Sequence, residues 1–248
     1  MSEEQLPEDW RGRRVGLLDA LVHGRQYVRA RHALWFVTGL ETADSLFPFI
    51  QGWNLNTALN GGAELAWQEF LGWYRKLRGT PLRPDWYVAP LQDCQGDDGR
   101  AALVLLDLVA DYVERFGPLA HGSADAMSEW LVATQGLWPE KVVARQVGLV
   151  EALSWIRRRM SQGQHLAFFT GADTIESLHC FTVGWVRNSI YNRHAEPELE
   201  AFWSWLRESQ TEFRGEGWHT QYLRECHGDH LKATLRFLDR VAEFVASR

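Results

Sequence analysis

Of the nine histidines in the 248-residue chain, His165, His179, His194, His219, His227 and His230 all lie in its second half. Histidine beside cysteine suggests metal chemistry, and Cys226, His227, Asp229 and His230 follow one another closely, with His219 a little upstream. Imidazole nitrogen and thiolate sulfur both suit a zinc ion. The spacing follows no established ligand pattern, however, and adjacent side chains rarely converge on one ion. A metal-dependent enzyme using His219, Cys226, His227 and His230 is therefore the lesser reading, and no cofactor is expected. Nucleophilic and phosphate chemistry fare no better, because the chain has no G-x-S-x-G elbow, no Walker loop and no H-E-x-x-H pair. No catalytic residue is expected.

The other candidate site is electrostatic. Glu198, Glu208, Glu212 and Glu216 make one stretch of the second half acidic. A solvated helix face is the plainer account, but such a face could also attract a basic partner and speed its capture. The net charge of −6 comes without a basic stripe, which argues against nucleic-acid binding. Arg157, Arg158 and Arg159 form one short basic run, suited to a helix C-terminus. Three cysteines are an odd number and too few for a disulfide framework, so a reducing cytoplasm is the expected location. The first residues, Met1 to Trp10, are acidic and polar rather than a secretory signal. The longest apolar run, Ala101 to Ala110, is interrupted by Asp107 and falls far short of the ~20 residues a membrane span needs. Thirteen tryptophans point to a large aromatic core.

These residues are carried by a duplication. Thr38 to Trp53, TGLETADSLFPFIQGW, returns as Thr170 to Trp185, TGADTIESLHCFTVGW. Aligning Leu6–Glu114 with Trp138–Ala246 without a gap gives about 38 identities in about 109 pairs, a self-similarity that governs every further reading. The chain divides into a repeat over 6–114, a connector over 115–137 and a second repeat over 138–246. In the first repeat Cys94, Gln95, Asp97, Asp98 and Tyr87 stand where the second has Cys226, His227, Asp229, His230 and His219, so the fold itself requires no metal. Cys94 and Cys226 share one position, which favours packing over reactivity.

Apolar spacing predicts about four helices per repeat and an all-α fold, with the repeats related by an approximate pseudo-twofold axis. The first helix runs from Glu8 to about Arg29 and from Glu140 to Met160. Ala33–Val37 and Leu166–Phe169 read as extended or irregular. Glu41 with Asp44, and Asp173 with Glu176, resemble an N-cap box for a second helix, and Pro48 favours a start near Ser45. On that helix Leu46, Phe49 and Trp53 share a face with core spacing, as do Leu178, Phe181 and Trp185. Gly52 and Gly184 suggest close approach of another backbone. A third helix carries Trp67, Phe70, Trp73 and Tyr74, echoed by Leu199, Phe202, Trp205 and Leu206. A loop holding Trp86 or Trp218 then leads to Gly96-Asp97 or Gly228-Asp229, where Asp caps the last helix. Its seam reads Leu103, Leu106, Val109, Ala110, Val113, and Leu235, Leu238, Val241, Ala242, Val245. Ser123 to Leu131 reads as a short connector helix.

The order Ile156-Arg157-Arg158-Arg159, Ser177-Leu178…Phe181…Gly184-Trp185, Phe202-Trp203-Ser204-Trp205-Leu206, Gly217-Trp218-His219 and Gly228-Asp229…Phe237 to Phe244 resembles small helical immunity proteins of bacterial polymorphic-toxin and type VI secretion (Rhs-like) loci. The resemblance covers essentially both repeats, and its motifs are core and cap residues. It implies a cytoplasmic monomer that binds a cognate protein toxin and blocks its active site without turnover. Another protein-interaction or regulatory scaffold is the alternative.

Overall fold

The computed structural model describes residues 7–10, 12–31, 33–60, 62, 65–79, 88–117, 146–209 and 217–248, and every regular element among them is helical. The first half contributes α1 (Leu17–Arg31), α2 (Trp35–Thr38), α3 (Leu46–Leu59), α4 (Leu65–Arg78), α5 (Val88–Asp93) and α6 (Asp98–Phe116). The second contributes α7 (Leu149–Ser161), α8 (Ala167–Thr170), α9 (Ile175–Tyr191), α10 (Pro197–Ser209), α11 (Trp218–Glu225) and α12 (His230–Ala246). No helix among the described residues is long and apolar enough to cross a membrane. The expected connector helix, Trp86 and Pro139-Glu140 lie outside the described residues.

The repeated TG…T..S stretch builds a corner. Thr38 and Thr170 end the one-turn helices α2 and α8, and Gly39 (φ 91°) and Gly171 (φ 85°) reverse the chain in the left-handed region. The Thr38 hydroxyl then lies 2.6 Å from that of Ser45, and Thr170 lies 3.0 Å from Ser177, tying each corner to the start of the next helix. These one-turn helices replace the extended segments expected at Ala33–Val37 and Leu166–Phe169, whose apolar residues are too few for the period to show. The acidic pairs also act differently from an N-cap box. Glu41 accepts from Leu34 N at 3.1 Å and Asp173 from Ala167 N at 2.8 Å, reaching back to cap α2 and α8. Thr174 caps α9, and Pro48 sits in the first turn of α3, where its missing N–H leaves nothing unpaired.

α3 and α9 form the centre. A Cβ on Gly52 would meet the Phe181 carbonyl oxygen at 1.9 Å, and one on Gly184 would meet that of Phe49 at 1.9 Å, so the backbones touch where the sequence placed its glycines. Asn56 donates to Trp185 O (3.0 Å) and to Ser189 Oγ (2.8 Å), and Asn188 donates to Trp53 O (3.2 Å) and Thr57 Oγ1 (2.7 Å). One turn on, Asn60 clamps the Val147 backbone through both amide atoms (2.7 and 3.2 Å), and Asn192 clamps Val15 (2.8 and 3.1 Å). Every one of these contacts joins one half to the other. The two hydrophobic cores interpenetrate as well, with Leu55 of α3 in the second core and Tyr191 of α9 in the first.

The expected core faces of α3, α4, α9 and α10 are found. Leu46, Phe49, Trp53, Leu178, Phe181 and Trp185 are buried, as are Trp67, Phe70, Tyr74, Leu199, Phe202 and Leu206. Three expectations need correction. The loop after the third helix contains the short helices α5 and α11, so among the described residues each half has more than four helices. The last-helix seam is turned: Ala233, Thr234, Phe237, Leu238, Val241 and Phe244 are buried, while Ala242 and Val245 face solvent. Phe237 and Phe244 offer more apolar area than Ala242 and Val245, and the larger rings take the core. The first helices start late, at Leu17 and Leu149, after Gly16 and Gly148, and among the described residues before them a 3-10 turn spans Glu8–Trp10.

Candidate functional site

Asp97 and Asp229 accept from Arg100 N and Lys232 N, each at 2.9 Å, as N-caps of α6 and α12. The turns before them are tighter than expected, because Gln95 and His227 join Gly96 and Gly228 at positive φ. That geometry separates the proposed metal ligands. Cys226 points into the core at 2 % exposure, while His227 is exposed in the turn. Among the described residues no three His, Cys, Asp or Glu side chains converge as an ion would require. His219, Cys226, His227 and His230 are thus not brought together.

Two of them meet other residues instead. The His219 ring stacks on that of His179 with centroids 3.9 Å apart, and Trp218 packs edge-on to both. His230 Nδ1 lies 2.9 Å from Glu176 Oε2. Burial, then the neighbouring His219, hold the His179 pKa down at about 3, against a hydrogen bond to the Gly39 backbone that favours the charged form. Burial also lowers that of His219, opposed by Glu176. Both rings are therefore neutral at pH 7. Nearby Cys180 is fully buried, and burial followed by the charge of Glu176 pushes its thiol far up, which leaves it unreactive.

Sequence reasoning missed Glu176 and His179 as members of this corner. A signal was present in the comparison of the two halves. At positions 179, 219, 221 and 234 the second half has His, His, Gln and Thr, and at the matching positions 47, 87, 89 and 102 the first has Phe, Tyr, Ala and Ala. His219, Gln221 and Thr234 are buried, so divergence between the halves is not confined to the surface. The Nδ1 atoms of His179 and His219, Gln221 Oε1 and Thr234 Oγ1 are buried without a hydrogen-bond partner in the protein, a concentration that calls for explanation.

The acidic candidates are placed in part. Pro197 opens α10, where Glu198 and Glu200 complement the helix dipole, and Leu199, Phe202 and Leu206 anchor the opposite side. Glu208 is exposed near the far end, about 15 Å along the axis from the half-buried Glu198. Glu212 and Glu216 lie outside the described residues. The matching helix α4 ends with Arg75, Lys76 and Arg78, so Lys76 and Glu208 hold opposite charges at one position of the repeat. No family model, curated protein or solved structure matches the chain.

Proposed function

We propose that the chain is a toxin-neutralising binding protein: two tandem repeats, 6–114 and 138–246, about an approximate twofold axis, one of which carries the partner surface. The contrast between α4 and α10 carries this reading. The two helices occupy the same place in their repeats, yet α10 opens with Glu198 and Glu200 where α4 has the uncharged Ala66 and Gln68, and it carries Glu208 where α4 carries Lys76. A helix surface that gains negative charge at these positions, while the underlying Phe70 and Phe202 stay buried, suits recognition by one repeat. The reciprocal pairing of Gly52 with Phe181 and of Gly184 with Phe49 supports the tandem arrangement. Trp35 and Phe168, roughly half exposed on the one-turn helices, offer further aromatic surface to a partner. In the host the protein would be a cytoplasmic monomer that covers a basic toxin's active site.

The test uses the tagged chain as bait in its native host. A co-purifying partner should inhibit growth when expressed alone and be neutralised by co-expression of this chain. The Glu208→Lys variant, which gives this position the charge of Lys76, should associate more slowly at low salt while unfolding within about 0.5 kcal/mol of the wild type, as exposed substitutions do. A partner that is harmless alone would overturn the assignment of function. An unchanged on-rate would remove α10 from the interface.

A further inference from the structure

A cleft of about 380 Å³ lies where the segment before α1 meets the turn after α9, lined by Gly12, Arg13, Arg14, Asn60, Tyr191, Asn192, Arg193 and His194. We propose that this cleft binds a small phosphate-bearing compound, with Arg14 and His194 as its principal anion contacts.

The backbone around the cleft is held in place by the fold, and the exposed Arg14 and Arg193 side chains stand at its edge. The two-bond clamp of Asn192 on Val15 fixes the Arg13–Arg14 strand of backbone against Arg193 and His194. Arg193 adopts φ 57°, the tight turn that presents His194 to the cleft wall. On the opposite side Gly62 leaves room for Arg14, since a Cβ there would meet Arg14 Nη2 at 1.7 Å. Three cationic guanidinium groups and an imidazole thus gather on a chain whose net charge is −6.

Among the described residues, the nearby carboxylates of Asp19 and Glu196 are already engaged. Asp19 accepts from Arg13 at 2.8 Å and from Gly16 N at 3.2 Å. Glu196 accepts from Trp185 Nε1 (2.8 Å), Ser189 Oγ (2.9 Å) and Leu149 N (3.1 Å). His194 has a buried Nδ1 without a hydrogen-bond partner. Its pKa is lowered by burial and then by the Arg14 guanidinium, with Glu196 opposing, so a cation stands against the imidazole. A phosphate oxygen bridging the two relieves that repulsion and accepts charge-assisted hydrogen bonds from both. The volume exceeds one phosphate group and falls in the range of small-molecule sites, which leaves room for the organic part of a phosphomonoester. The repeat does not generate the site twice: Arg14, Arg193 and His194 correspond to Gln146, Gly61 and Gly62 in the other half. This inference stands apart from the toxin-binding reading, since it concerns the opposite charge and a different surface.

The full chain is titrated with inorganic phosphate and with ribose 5-phosphate, against chloride at matched ionic strength, by calorimetry and by thermal unfolding. Saturable binding is expected, with ribose 5-phosphate the tighter of the two and Tm rising with ligand. Arg14→Gln and His194→Gln should each weaken binding at least tenfold while keeping the wild-type Tm in chloride; Arg207→Gln, on the exposed side of α10, should change nothing. If one cleft variant fails to fold, the other decides. Absence of saturable binding, or equal binding by wild type and either cleft variant, overturns the proposal.

Discussion

His179 offers a quantitative check on the interior of the second half. Its ring is stacked on His219 and packed over Gly39, where an added Cβ would meet His179 Nε2 at 2.6 Å. The first half repeats this arrangement with Phe47 over Gly171, where a Cβ would meet the phenyl ring at 2.2 Å. The fold therefore accepts a phenyl ring at this position, and His179→Phe removes one titrating group with little change of shape. In the folded protein His179 stays neutral until the pH approaches about 3, whereas in the unfolded chain it takes up a proton near its ordinary value of 6.5. Above that value neither state is protonated and stability is unaffected. As the pH falls below it, protons bind the unfolded chain alone, and the folded state loses about 1.4 kcal/mol per pH unit. Between pH 7 and pH 5 this amounts to about 2 kcal/mol from this residue.

Urea unfolding followed by tryptophan fluorescence measures the quantity directly. The wild type should lose about 2 kcal/mol more than His179→Phe on going from pH 7 to pH 5, with the other histidines contributing equally to both. The remaining pH dependence of the variant includes His219 and His194, whose pKa values burial lowers in the same direction. Parallel pH profiles for the two proteins would mean that His179 is protonated in the folded state without cost, and the buried stacked pair would then be wrong.

The other helices give sharper signs. Gly52→Ala or Gly184→Ala should cost about 3 kcal/mol or more in urea melts, because the new methyl meets a carbonyl oxygen at 1.9 Å; Gly72→Ala in α4, with nothing within 4 Å, should stabilise by up to about 1 kcal/mol. Asn56→Ala and Asn188→Ala should each cost about 2 kcal/mol in the same melts, since each removes one hydrogen bond to a buried carbonyl and one to a buried hydroxyl. Asp97→Ala and Asp229→Ala should each cost about 1 kcal/mol through loss of the N-cap and leave partner and phosphate binding unchanged.

What the sequence conveyed depended on periodicity and repetition. The α3 and α9 core faces, the touching glycines and the Asp caps were legible, because each has a local signature and occurs twice. The one-turn helices α2 and α8 were not, since four residues carry no measurable period. Helices α5 and α11 were hidden by their length and by Pro90 within α5. The histidine corner was not legible, because adjacency in sequence is not proximity: the turn at Cys226 and His227 buries one neighbouring side chain and exposes the other. The partners that do meet, His179 and His219, come from different helices. Only the mismatch between buried positions of the two halves could have pointed to them.

The central packing also predicts how the first half behaves alone. Each contact between α3 and α9 uses residues that both halves possess: Gly52 and Gly184, Phe49 and Phe181, Trp53 and Trp185, Asn56 and Asn188, Asn60 and Asn192, Val15 and Val147. A fragment of residues 1–117 therefore holds both members of every pair. In a symmetric dimer its Gly52 would meet Phe49 O of a second copy, and its Asn56 would reach Trp53 O and Thr57, which replaces Ser189 with the hydroxyl retained. Gly39 would receive Phe47 in place of His179, a ring that Gly171 already accommodates. Sedimentation equilibrium of the fragment should give twice its mass, and Gly52→Ala should abolish the dimer. A folded monomer would show that the shared pairs are insufficient and that residues peculiar to one half, Tyr191 in the first core above all, decide the association.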